Sequence, residues 1–372
     1  DVAANACPYV GLVKSVDGPR TDVADVTTFT YRMSDEATCL TSPTTCLYRK
    51  GDLWKTTNAL GHVVETEKSD GAGRLLSVKD ADGVTTDFTY TLRGWLSARK
   101  LRGTNNGTET DDRVTAINYF SFGKPSRIRT IGASDAIYDY DAGHRLKAIG
   151  DNKGYFVRYT LNSAGNRLSE KVQNTTGTTT YRTLSRSVDS LGRVQTQTDA
   201  YNRITGFTYD ANGNLDQTTD ALTRMSDNNY DPLNRLSRTL QDMNGIAAET
   251  KFTYDALDNL TQVNDPKGLN TNYTYSGFSE LKTLQSPDTG SATYEYDAAG
   301  NRTKQTDARN KVANYGYDAL NRLTTVTYPT AAALNTTYTY DTTQAGCLAD
   351  ETCSKGRLTK IADQSGTTVY CY

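Results

Sequence analysis

The sequence predicts an all-β chain, laid out as a ribbon of hairpins, and three observations carry that prediction. A phrase recurs: "YEYDAAGNRT" at residues 294 to 303 returns as "YGYDALNRLT" at 315 to 324, 21 residues on. Around it, "TYEYD" and "TTVTY" alternate Thr with Tyr or Val, the two-residue period of a strand with two differently used faces. Hardly any segment shows a sustained helical stripe. Self-similarity at a fixed short period marks architectures built from stacked units.

The copies follow one another along the chain. They open at Tyr140-Asp141 ("YDYDAGHRL"), Tyr209-Asp210 ("FTYDANGNL"), Tyr230-Asp231 ("NYDPLNRL") and Tyr254-Asp255 ("FTYDALDNL"), then at Tyr296-Asp297 and Tyr317-Asp318. A copy with an insertion starts at Tyr340-Asp341, and looser ones stand at Tyr159, Val188-Asp189 and Tyr275. From Tyr209 to Tyr340 the steps are 21, 24, 21, 21, 21 and 23 residues. Thr, Tyr and Val suit a pleated, half-buried surface. The intervening "DAAGN", "DANGN" and "DALN" are turns, because Asp, Asn and Gly accept tight-turn dihedrals and bond their own backbone. The Leu after Asn-Arg restarts the next strand. One unit is therefore a strand, a turn and a return strand, closed by a second turn such as "TDALT" or "NDPKG".

This periodicity divides the chain into residues 1–130, a looser set of repeats, and residues 131–372, a regular array of about 21 residues per repeat. Hydrophobic residues make up only 36% of the 372, and the mean hydropathy is −0.64, low for a compact core. Tyr outnumbers Phe by 25 to 8, giving large contact area with a polar tip. A net charge of −2, dispersed without runs, argues against nucleic acid as a partner. No apolar stretch approaches the ~20 residues of a membrane-spanning helix. The opening "DVAANACPYV" shows no signal-peptide pattern. It lacks an initial Met, and the closing "GTTVYCY" reads like the start of another copy, so the sequence reads as an excerpt of a longer repeat protein.

Six cysteines lie outside the regular central array. Cys39 and Cys46 sit in one enlarged turn, Cys347 and Cys353 in another, and a local disulfide across each is geometrically reasonable. Cys7 and Cys371 are then left free, paired together, or paired to another chain. Disulfides imply an oxidising compartment and hence a secreted or cell-surface protein. Metal-ligand spacing is absent, with only His62 and His144 as imidazoles, and no cofactor motif is present.

At "YDAAGNRT", "YDPLNRL" and "YDALNRL" the sequence resembles the bacterial YD-repeat, or Rhs-repeat, family. "DGPRTDVADVTTFTY" (17 to 31) and "DPKGLNTNYTY" (265 to 275) resemble other recurrent phrases of Rhs proteins. The resemblance implies a β-hairpin ribbon spiralling into a hollow shell or barrel, or an elongated solenoid-like array. In the bacterial proteins and related toxin complexes that shell encloses a C-terminal toxin; in teneurins it serves adhesion. It further implies a toxin domain of the same polypeptide, or further copies of the chain, as partner. In Rhs proteins a motif like Asp265-Pro266-Lys267-Gly268-Leu269 belongs to a self-cleavage site, but here further repeats follow it and a Pro-Gly turn explains the same letters.

The motif residues carry competing readings. Tyr and Asp suit stacking on sugars and bonding hydroxyls, so contact with a glycan or cell surface stays open. Repetition favours the structural reading, in which Tyr stacks between rungs and Asp opens each turn. Asn321-Arg322 and its equivalents are expected to bridge to Asp of an adjacent repeat. Trp54 and Trp95 read as core anchors. No catalytic constellation is found. The expected function is a non-catalytic scaffold, forming part of a β-shell around a toxin effector, with a self-assembling extracellular filament or adhesin as the alternative.

Overall fold

In the computed structural model, residues 7–42, 46–103, 110–349 and 351–372 are described. The opening residues 1–6 and positions 43–45 of the Cys39–Cys46 loop lie outside that set. The described residues form thirty β-strands and two short 3-10 turns, Ala37–Leu40 and Ala332–Leu334. All the observed strand pairings are antiparallel, and each joins strands that follow one another in sequence.

The chain divides into two compact units. One comprises Asp1–Val114, Glu280–Thr283 and Gly290–Tyr372; the other comprises Thr115–Ser279 and Leu284–Thr289. In the second unit, strand Ile204–Tyr209 pairs with Leu215–Thr219, which pairs with Met225–Tyr230, which pairs with Leu236–Gln241. In the first unit, Gly290–Tyr296, Arg302–Thr306, Val312–Tyr317 and Leu323–Thr327 repeat the same succession.

A register shift marks the Tyr that ends each outgoing strand, as at Asn229/Tyr230, Thr253/Tyr254, Glu295/Tyr296 and Gly316/Tyr317. The cause is the turn that follows. Its fourth residue has a positive φ, +91° at Gly213 and +62° at Asn234, so the return strand begins one residue late and a bulge absorbs the offset. Gly meets no steric penalty there, and Asn tolerates the left-handed region better than most side chains. The sequence places Gly or Asn at both sites for that reason.

Burial is shallow. Among the described residues the buried apolar side chains are Cys7, Cys39, Cys46, Ala148 and Val326, and the largest side chains with almost no exposure are the polar Thr359 and Ser77. A sheet so poor in apolar core depends on backbone ladders and on contacts between neighbouring rungs.

Both enlarged turns carry disulfides, but the second pairing differs from the local one expected. Cys39 bonds Cys46, whereas Cys347 bonds Cys371, with Cα atoms 5.4 Å apart, and not Cys353. The backbone explains the change: Cys353 N–H donates to Tyr372 C=O at 3.1 Å, which lays the final segment beside the loop and brings Cys371 to Cys347. Cys7 (buried) and Cys353 (half-buried) are free thiols. Cross-linking residues 24 apart in sequence contributes about 3 kcal/mol of loop-closure entropy. Peptide mapping of unreduced protein is expected to recover a Cys347–Cys371 linked pair. Alkylation before unfolding should label Cys353, and Cys7 should react only after unfolding.

Candidate functional site

The Tyr-Asp turns form the repeated polar site of the molecule, and the copy opened by Asp231 shows its construction. Asp231 N–H donates to Arg235 C=O and Asn234 N–H donates to Asp231 C=O, both at 2.9 Å. Asp231 Oδ1 accepts from the N–H groups of Leu233 and Arg235 at 2.9 and 3.0 Å, and Oδ2 accepts from Arg235 Nε at 2.7 Å. One carboxylate thus satisfies two turn amides and holds the arginine that leaves the turn. The same set recurs at Asp141 with Arg145, Asp189 with Arg193 and Asp318 with Arg322. At Asp210, Asp255 and Asp297 an asparagine, Asn214, Asn259 or Asn301, takes the place of the arginine.

At several turns the tyrosine ties the turn to the rung before it. Tyr230 Oη donates to Leu215 C=O at 2.9 Å, Tyr209 to Val194, Tyr254 to Leu236, Tyr317 to Arg302 and Tyr340 to Leu323. Several of these arginines place the guanidinium over the next ring: Arg193 over Tyr209 at 4.6 Å, Arg235 over Tyr254 at 4.8 Å and Arg322 over Tyr340 at 4.4 Å. Such stacking contributes about 0.5–2 kcal/mol per pair. Tyr140 instead meets Phe120 and Phe122 edge-on at 5.7 Å. Burial pushes the phenols of Tyr140, Tyr230, Tyr254, Tyr296, Tyr317 and Tyr340 upward, which keeps these hydroxyls protonated and able to donate.

The arginines pair first with their own turn, four residues away, and only then outward. Arg235 reaches Asp258 at 2.7 Å, and Arg322 reaches Asp341 at 2.5 Å. Burial opposes the Asp341 charge, but hydrogen bonds from Arg322 and Gly356 N–H prevail and hold its carboxyl below the usual range. The hydrogen bond to Asp341 likewise raises Arg322, which is permanently charged.

Within the first unit, residues near the start of the chain dock on turns near its end. Arg20 is almost fully buried, and its Nη1 donates to Asp318 C=O at 2.5 Å. Its Nε lies 3.7 Å from Asp297 Oδ2. His62 Nε2 stands 3.6 Å from Asp341 Oδ2, and Lys355 N–H donates to Asp82 Oδ1 at 2.8 Å. These contacts join residues that are 298 and 273 apart in the chain at Arg20 and Lys355. Sequence reading missed Arg20 because a lone arginine in "DGPRTD" has no periodic signal.

Other groups form smaller sites. An open cleft of about 410 Å³ is lined by Gln305, Asp307, Arg309, Tyr315, Tyr328 and Leu334, and Asp307 is already bound into its own turn. Asp265 Oδ1 accepts from Lys267 and Leu269 N–H groups at 2.9 and 2.8 Å, as in the other turns. Glu36 and Glu351 each approach a cysteine pair, but those sulfurs are bonded to each other and offer no thiolate to a metal. Trp54 lies under Arg32 and Lys55 and donates to Glu65 Oε1 at 2.6 Å.

The RHS Repeat family model matches residues 70–105, 230–271 and 296–333, each spanning at least one of these turns. The chain carries RHS repeats in these three stretches. Its fold is similar to that of the TcdB2–TccC3 assembly crystallised with Cdc42, at 17% identity and a TM-score of 0.51, over 86% of this chain and 18% of that one. It is also similar to the Photorhabdus luminescens Tc holotoxin pore with a TccC3 mutation, at 15% identity and a TM-score of 0.53, over 91% of this chain and 20% of that one. The chain spans about a fifth of the length of these solved chains. No curated protein matches it.

The turn carboxylates make stability depend on acid. Hydrogen bonds from Asn214, and from the Arg145, Arg203 and Arg224 side chains, hold Asp210, Asp141, Asp199 and Asp220 below the usual carboxylate range; at Asp231 backbone N–H bonds lead. A carboxyl depressed in the folded state stabilises above its unfolded pKa and loses that contribution as pH falls toward the folded value. Melting temperature is therefore expected to hold level from about pH 5 to 8 and to fall below about pH 4. Asp231→Asn should fold, because Asn162 already opens one turn with its amide oxygen accepting from Asn166 N–H. Its loss of stability between pH 7 and 3 should be smaller than wild type's.

Proposed function

We propose that this chain is a length of the β-ribbon wall of an RHS/YD shell, a scaffold without chemistry of its own, and that the shell encloses a toxin carried C-terminally on the same polypeptide. The docking of Arg20 and His62 onto turns near residues 297, 318 and 341 carries this reading. A ribbon whose early rungs rest on its own late turns is what a coiling wall requires, since each coil then covers the edge of the next. Shared fold with the TcdB2–TccC3 proteins adds support, and the disulfides fit export to an oxidising, extracellular setting.

Electron microscopy of native, unreduced protein, imaged without imposed symmetry, tests the proposal. Curved or closed hollow particles are expected. Straight filaments repeating one chain per subunit would overturn it in favour of a self-assembling extracellular fibre.

A further inference from the structure

Arg20 occupies a place that other rungs fill from within. Arg235 Nη1 donates to the C=O of Asp255, which opens the next turn, at 2.9 Å, and Arg145 Nη1 does the same to Asn162 C=O at 3.0 Å. The turn at Asp297 has no such arginine. Its Asn301 is too short, and Nδ2 is spent on Asp297 Oδ2 at 2.9 Å and Asn321 Oδ1 at 2.7 Å. Asp318 C=O, which takes Asn321 N–H at 3.0 Å, then accepts Arg20 from the far end of the sequence.

The second unit contains the same exception. Asn214 Nδ2 donates to Asp210 Oδ2 at 2.9 Å and Asn234 Oδ1 at 3.0 Å. Asp231 C=O accepts Asn234 N–H at 2.9 Å, and among the described residues no guanidinium reaches it. Asp210, Asn214, Asp231 and Asn234 thus repeat Asp297, Asn301, Asp318 and Asn321 one for one, with identical spacing. Beside them Leu233 is 67% exposed, whereas its counterpart Leu320, in the unit where Arg20 docks, is half-buried.

We propose that the edge formed by Asp210, Asn214, Asp231 C=O and Asn234 is a receptor for an arginine carried on a loop of another YD-repeat ribbon. The Asp210 carboxylate has no arginine partner in its own turn, which supplies the complementary charge. The bound form is displayed by Arg20: its Nε and Nη2 are held by Asp22 at 3.0 and 2.5 Å, leaving Nη1 to meet the carbonyl. A planar guanidinium serves a carboxylate and a carbonyl together, which an ammonium does less well. Leu233 is then covered by the incoming loop. This inference requires no cargo, so its failure leaves the scaffold proposal, tested by imaging, untouched.

The test is titration of the full chain with a peptide of its residues 15–27, "SVDGPRTDVADVT", read at the backbone amides of Leu233, Asn234 and Arg235 by NMR. Saturable shifts are expected with the native peptide, about tenfold weaker binding with its Arg20→Ala and Arg20→Lys versions, and none in the Asn214→Arg chain. Asn214→Arg restores the residue found at position 235 of the next turn and fills the site from within. Absence of saturable shifts into the millimolar range, equal binding of the Arg20→Ala peptide, or binding that survives in Asn214→Arg would each overturn the proposal. The peptide comparisons stand on wild-type protein, so they decide the matter even if that variant folds poorly.

Discussion

One carboxylate oxygen accepting two backbone N–H groups is the contact on which the rest of the ribbon depends. At Asp231 it takes the amides of Leu233 and Arg235, and the pattern recurs at Asp141, Asp189, Asp210, Asp255, Asp297 and Asp318. These amides sit at a tight corner where the ladder cannot serve them, and unpaired they carry a desolvation cost. Fixing the corner fixes the bulge at the preceding Tyr, and the bulge aims the phenol back at the previous rung. The carboxylate therefore sets the hairpin, and the tyrosine sets the distance to its neighbour.

A ribbon this poor in apolar core has to hold its rungs in register by polar means. Tyr hydroxyls on carbonyls and guanidiniums over rings do so, each adding about 1 kcal/mol over many rungs. The same chemistry extends beyond the ladder where Arg20 meets Asp318: one guanidinium, one turn carbonyl, one nearby carboxylate. In this account, contacts between rungs and contacts between distant parts of the ribbon are two uses of a single motif.

Much of this was legible because it is periodic. Alternating Thr and Tyr gave the strands, Asp with Gly or Asn gave the turns, and a 21-residue step gave the repetition. What escaped is what breaks the period. Cys371 pairs with Cys347 because the final segment returns beside the loop, and spacing alone pointed to the nearer Cys353. Arg20 stands 298 residues from its acceptor, and no local pattern reveals such a partner. The change from Arg to Asn at 214 and 301 looks in sequence like drift within a repeat; its meaning shows only when the neighbouring carbonyl is seen.

Amide hydrogen exchange on the native chain and on Arg20→Ala tests the central claim most directly, that turn carbonyls and guanidiniums bind distant segments as they bind neighbouring rungs. Faster exchange is expected, confined to residues 15–31 and to the turns around Asp297 and Asp318, with the second unit unchanged. Unaltered exchange around Asp318, or loosening spread evenly over the whole chain, would contradict it.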